Sequence, residues 1–185
     1  ELKHEDFSSQ CFLGVAIPVS QVKILAYNRV VRDLNGYTID QLLTKLSENF
    51  LVTPDRHGFV PEHVMTFGLY VGGSWYKLKL RDLPTSSVHP ENNLDVSLLS
   101  KFILKPLLGI SDSRIDDRIE FVGGVGGLAE LMERVDSGEM ACAFSLFPTK
   151  IDDLLVVADS NRQMPPKSTW FEPKLVDGLL SMRLG

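Results

Sequence analysis

The sequence predicts an α+β fold, a mixed and partly antiparallel sheet with helices packed on it. Three observations carry that expectation. MTFGLYVGGSWYKLKLR has a Gly-Gly turn between two alternating apolar runs, TIDQLLTKLSENF repeats apolar residues at helical spacing, and strand-like and helix-like stretches alternate from Arg118 onward.

In chain order, CFLGVAIPVSQVKILAYN reads as two largely buried strands with Pro18 to Gln21 as the bend. In TIDQLLTKLSENF, Ile39, Leu42, Leu43 and Leu46 recur at i, i+3, i+4 and i+7, and Thr38 with Gln41 supplies a capping box. A helix over 38–50 follows. Met65, Phe67, Leu69 and Val71 alternate on one hairpin arm and Tyr76, Leu78 and Leu80 on the other, around Gly72-Gly73-Ser74. The polar loop RDLPTSSVHPENN leads into a second helix, LDVSLLSKFILKPLLG, with Asp95 near its start and Pro106 ending or kinking it. RIEFV is then a strand, LAELMERV a helix, MACAFSLF a strand and KIDDLLVVADS a helix capped by Thr149, which suggests a βα pattern.

At 185 residues the chain reads as a single domain, 1–185, and its abrupt charged start suggests a piece of something longer. A formal net charge of −5 argues against non-specific nucleic-acid binding, which needs clustered cations. No apolar run reaches membrane-span length, so no membrane partner is expected. Cys11 and Cys142 lie in apolar runs without CxxC spacing and read as buried free thiols, which favours a reducing, cytoplasmic setting.

The stretch MPPKSTWFEPK, residues 164–174, places Lys167, Ser168 and Thr169 after two prolines. A cation beside two hydroxyls suits a phosphate, but the glycines of a Walker A loop are absent. Either this is a stiff connector anchored by Trp170 and Phe171, or the polar trio rims a ligand site. The cluster Gly123, Gly124, Gly126 and Gly127 lies between a strand and a helix without the full dinucleotide fingerprint. Gly124 and Gly126 therefore serve either chain geometry or an anion contact. Arg29, near Arg32 and Asp33, offers a planar fork for carboxylate or phosphate, or an ordinary structural pair. Asp55, His57, Glu62 and His63 lack the spacing of a metal site and read as a solvated loop.

AYNRVVRDLNG, LDVSLLSKFILKPLLGI, DRIEFVGG, GEMACAFSLFPTK and MPPKSTWFEPKLVDGLL together resemble the C-terminal half of the uncharacterised family called domain of unknown function 1015, from about residue 12 to the end. Many members have Pro-Thr-His-Arg where this chain has Ala26-Tyr27-Asn28-Arg29, and only Arg29 matches. The resemblance implies a longer parent whose N-terminal half is similar to the partition-protein and sulfiredoxin superfamily, some of whose members are nucleotide-dependent kinases of free serine. It further implies that missing half as a partner, ATP or ADP as a cofactor of the parent, and serine- or phosphoserine-related chemistry.

Two functions follow from different classes. In one, the chain is part of a small-metabolite enzyme that binds a phosphorylated ligand or nucleotide through Arg29, Lys167, Ser168 and Thr169. In the other, it is a non-catalytic scaffold or homodimerisation domain. Convergence of Arg29 and Lys167 on one open cleft favours the first, and a buried Lys167 paired with a carboxylate favours the second.

Overall fold

The structure, a computed structural model, describes residues 12–82, 88–176 and 178–181. Cys11 and part of the polar loop, residues 83–87, lie outside the described residues. Residues 24–170 form one compact unit, and the segments up to Lys23 and from Phe171 onward form another.

The strands are β1 (Lys23–Leu25), β2 (Tyr27–Val31), β3 (Phe50–Asp55), β4 (Thr66–Val71), β5 (Ser74–Leu80), β6 (Ile119–Gly123), β7 (Cys142–Ser145) and β8 (Trp170–Glu172). The helices are α1 (Ile39–Leu46), α2 (Asp95–Leu99), α3 (Gly127–Asp136) and α4 (Ile151–Asp159). A six-stranded sheet runs in the order β3-β5-β4-β7-β2-β6, and a two-stranded sheet comprises β1 and β8. This is the α+β architecture that the sequence predicts.

Each pairing in the larger sheet is antiparallel. The βα alternation of the second half has a specific outcome: β6 and β7 both run antiparallel to β2, which lies between them, so they are parallel to each other and joined through α3. This is a split β-α-β unit, in which an early strand is inserted between two later ones.

Side-chain alternation divides the core between the two faces. Val31 on β2, Leu69 and Val71 on β4 and Phe144 on β7 join Leu42, Leu46, Leu98 and Leu99 of α1 and α2. Val30, Tyr70 and Ala143, their neighbours in sequence, join Leu131 of α3 on the opposite face. Local signals explain the elements well. Thr38 Oγ1 accepts from the Gln41 backbone N–H at 3.3 Å and the Gln41 side chain accepts from the Thr38 N–H at 2.9 Å, completing the expected capping box. Gly72 and Gly73, at φ +56° and +72°, close the β4–β5 hairpin with the paired positive φ that a two-residue turn demands.

Three expectations change. Residues 12–18 form no strand, and Phe12 and Val15 are exposed, because an apolar run becomes a strand only where it finds a pairing partner. The bend expected at Pro18 to Gln21 is present, as a short 3₁₀ turn, Val19–Gln21. Helix α1 stops at Leu46 and Phe50 opens β3, an edge strand that carries Pro54 and pairs with β5 alone. Proline is tolerated there because one side of an edge strand needs no donor. At α4 the cap is Lys150, whose backbone N–H donates to Asp153 Oδ2 at 3.3 Å, while the Thr149 hydroxyl donates instead to the Ser168 carbonyl at 3.0 Å.

Candidate functional site

Arg29 sits in the middle of β2, opposite Phe121 on β6 and Phe144 on β7. It is only 3% exposed, which is rare for a cation without a carboxylate partner. Its guanidinium donates from Nη1 to the Tyr27 carbonyl and to the Asn28 carbonyl at 3.3 Å, and from Nη2 to the Lys167 carbonyl at 2.9 Å. It also lies 4.6 Å from the centroid of the Phe121 ring, a cation–π arrangement that offsets part of the lost hydration. Burial pulls its pKa down to about 9, with the neighbouring Tyr27 opposing the fall, so the group remains a cation at neutral pH. Among the described residues no carboxylate pairs with it. Three bonds occupy three of its five N–H donors, leaving at least two for a ligand.

Arg29 is among the residues that line a cavity of about 640 Å³, within the size range of small-molecule sites. One wall is the helix that begins as α2 and widens to a π-helix over Ser100–Leu104, a deviation that recurs at functional sites. Ser97, Ser100, Lys101 and Lys105 come from that wall, and Arg114 from the following loop. The cations Arg29, Lys101, Lys105 and Arg114 thus surround a cavity with one lining carboxylate, Asp112. Arg114 Nη2 lies 2.6 Å from Asp112 Oδ2, and its hydrogen bonds hold that carboxyl down at about 2. The Asp112 charge is therefore already met. Lys101 and Lys105 are exposed residues of that lining, the Lys101 ammonium lying 5.1 Å from the Phe102 ring centroid, in a chain whose net charge is negative.

The residues picked from sequence fall at three places. Arg29 and the MPPKST segment do meet: Pro165 and Pro166 line the cavity and the Lys167 carbonyl accepts from Arg29. The Lys167 side chain is exposed, its ammonium 5.5 Å from the Tyr27 ring centroid, and its backbone takes a positive φ of 54°. Ser168 is 5% exposed; its hydroxyl donates to the Pro165 carbonyl and its own carbonyl accepts from Thr149, so it ties the segment down. Thr169 is half-buried beside it. Trp170 anchors the stretch, with its ring edge-on to Tyr27 at 5.3 Å and close over Gly123. Gly124 and Gly126 are not among the cavity's lining residues. A Cβ on Gly124 would come within 2.9 Å of the Ala26 carbonyl oxygen, and Gly126 opens α3 against the Glu130 side chain. Arg32 and Asp33 do not pair with each other: Arg32 meets Glu120 at 2.5 Å and Asp33 meets Arg118 at 3.6 Å.

Lys101, Lys105 and Arg114 were not singled out by sequence reading. The available signal was the i, i+4 spacing of two lysines in LDVSLLSKFILKPLLG.

A family model described as Protein of unknown function (DUF1015) matches residues 2–97, which include Arg29 and the first turn of α2 as far as Ser97 but not the MPPKST stretch. The chain belongs to this family. No curated protein matches it. Among solved structures, free serine kinase in complex with AMP is similar at 15% identity and a TM-score of 0.44, over 83% of this chain and 55% of that one. A mutant of that kinase in complex with ADP is similar at 14% identity and a TM-score of 0.43. A conserved hypothetical protein from Pyrococcus furiosus is similar at 14% identity and a TM-score of 0.48, over 82% of this chain and 56% of that one. The DUF1015 chain thus spans just over half the length of these solved structures. Among the described residues no helix is long and apolar enough to cross a membrane.

Proposed function

We propose that the chain binds a phosphorylated small ligand or a nucleotide in the cation-lined cavity, as one part of a small-metabolite enzyme. The observation that carries this reading is the meeting of a buried Arg29, which has no carboxylate partner among the described residues, with Lys101 and Lys105 around one cavity. A phosphate would accept from the uncommitted guanidinium N–H groups and from the lysines, and charge-assisted hydrogen bonds of this kind are about twice as strong as neutral ones. Ser97 and Ser100 add hydroxyl donors along the same wall. The family resemblance extends the reading to serine, phosphoserine, ATP and ADP as ligands.

Isothermal titration of ADP, O-phosphoserine and inorganic phosphate tests it. At least one is expected to bind, and the double variant Lys101→Glu, Lys105→Glu, both surface positions, is expected to lower that affinity by about tenfold or more. Absence of binding by all three to the unaltered chain sinks the proposal.

Exposed apolar side chains outside the main unit, among them Phe12, Leu175 and Leu179, favour the second reading of a scaffold or homodimerisation domain. Sedimentation velocity over a wide concentration range decides this, and a monomer throughout removes it.

A further inference from the structure

A second cavity, of about 270 Å³, opens at the start of α2 and has the opposite chemistry. Met65, Phe147 and Val156 are among its apolar walls, while Asp95, Asp153 and Thr149 are among its polar lining residues. No lysine, arginine or histidine is among its lining residues. Asp95 is 8% exposed; its Oδ1 accepts from the Met65 backbone N–H at 2.7 Å, and its Oδ2 is buried with no hydrogen-bond partner. A carboxylate oxygen enclosed without a donor carries a desolvation cost that only a donor or a proton relieves. Burial, with the like charge of Asp153 as a smaller contributor, pushes the Asp95 carboxyl up to about 7. The Asp153 carboxylate is held nearby by the backbone N–H of Lys150.

We propose that this cavity is a binding site for a primary alkylammonium group. Asp95 and Asp153 take two of the three ammonium N–H donors, Thr149 Oγ1 is within the same lining as a further acceptor, and the apolar walls receive a short hydrocarbon body. An ammonium supplies the donor that Asp95 Oδ2 lacks and sets a positive charge beside the Asp153 carboxylate. Its apolar surroundings favour a ligand with a carbon chain over a bare hard cation, which takes six or more oxygens. The assignment does not rest on the phosphate site, since no residue among Arg29, Lys101, Lys105 and Arg114 lines this cavity.

The test uses calorimetric titration of the 185-residue chain with n-butylammonium chloride, n-butanol as the uncharged body of the same size, and magnesium chloride as the rival cation. The expected result is that n-butylammonium binds about tenfold more tightly than n-butanol, a gap that one charge-assisted hydrogen bond accounts for. Asp95→Asn should close that gap while retaining an Oδ1 acceptor for the Met65 N–H, so the fold survives, which circular dichroism checks. Asp153→Asn provides a second, more exposed variant that should narrow the gap. The Lys101→Glu, Lys105→Glu variant should leave butylammonium binding unchanged, which separates failure here from failure of the phosphate reading. Equal affinity for butanol and butylammonium, a preference that survives both aspartate variants, or tighter competing binding of magnesium overturns the proposal.

Discussion

The two cavities stand at successive stretches of one helix, and Asn93 lines both. They treat a buried charge in different ways. Around Arg29 the backbone supplies three carbonyl acceptors and an aromatic face, so the cation keeps its charge despite deep burial. Around Asp95 the protein supplies one N–H and leaves the second oxygen without a donor, so the group rises toward neutral pH. A buried charge therefore stays fixed where the fold surrounds it with opposing dipoles, and becomes titratable where it does not.

The largest test of this comparison is the shared helix itself. Leu99 is fully buried in the core beneath α2, so Leu99→Ala should cost about 2–5 kcal/mol in denaturant unfolding. Both ligand affinities should fall together, and loss of one alone would show that the cavities are mechanically separate.

Next in size is the response to pH. The Asp95 carboxyl is raised from 3.8 to about 7 in the folded chain, so the folded state holds the proton more tightly than the unfolded state does. Its contribution is present in full below about pH 4 and is lost as the pH rises through about 7, by up to roughly 4 kcal/mol. The stability difference between the unaltered chain and Asp95→Asn should therefore shift against the unaltered chain between pH 4 and 8. A difference independent of pH would mean that Asp95 finds a partner in solution.

Arg29→Met comes third. It should weaken phosphate-ligand binding by about 1.5–3 kcal/mol and leave butylammonium binding alone, as measured by calorimetry. Unchanged phosphate affinity would move the anion site away from β2. The smallest effect belongs to Lys167→Ala. The Lys167 carbonyl, which holds Arg29, survives the change, and the exposed ammonium contributes only a contact to the Tyr27 ring, so stability and affinity should both move by at most about 1 kcal/mol. A larger loss of affinity would bring the Lys167 side chain into the site.

How much of this was legible in the sequence depends on the distance over which each signal acts. The Thr38–Gln41 box, the Gly72-Gly73 turn and the stripe of α1 were readable because their partners lie within a few residues. Residues 12–18 and β3 were misread because strand formation depends on a partner far along the chain, and hydrophobicity alone does not name one. Lys101 and Lys105 were visible as two helix lysines, yet nothing local distinguished them from an ordinary solvated face. Asp95 was readable as a helix-start residue, whereas its missing donor was not.

By itself, then, the sequence determined the α+β class, the Thr38 cap and the Gly72-Gly73 turn, since these follow from backbone propensity and short-range periodicity. Only the tertiary structure decided that β2 is inserted between β6 and β7, which carries Arg29 beneath a segment 138 residues away and beside the α2 wall. It alone also decided which charges lose their water. Desolvation is set by everything packed around a group, so Arg29 and Asp95 acquire their chemistry from neighbours that no local pattern identifies.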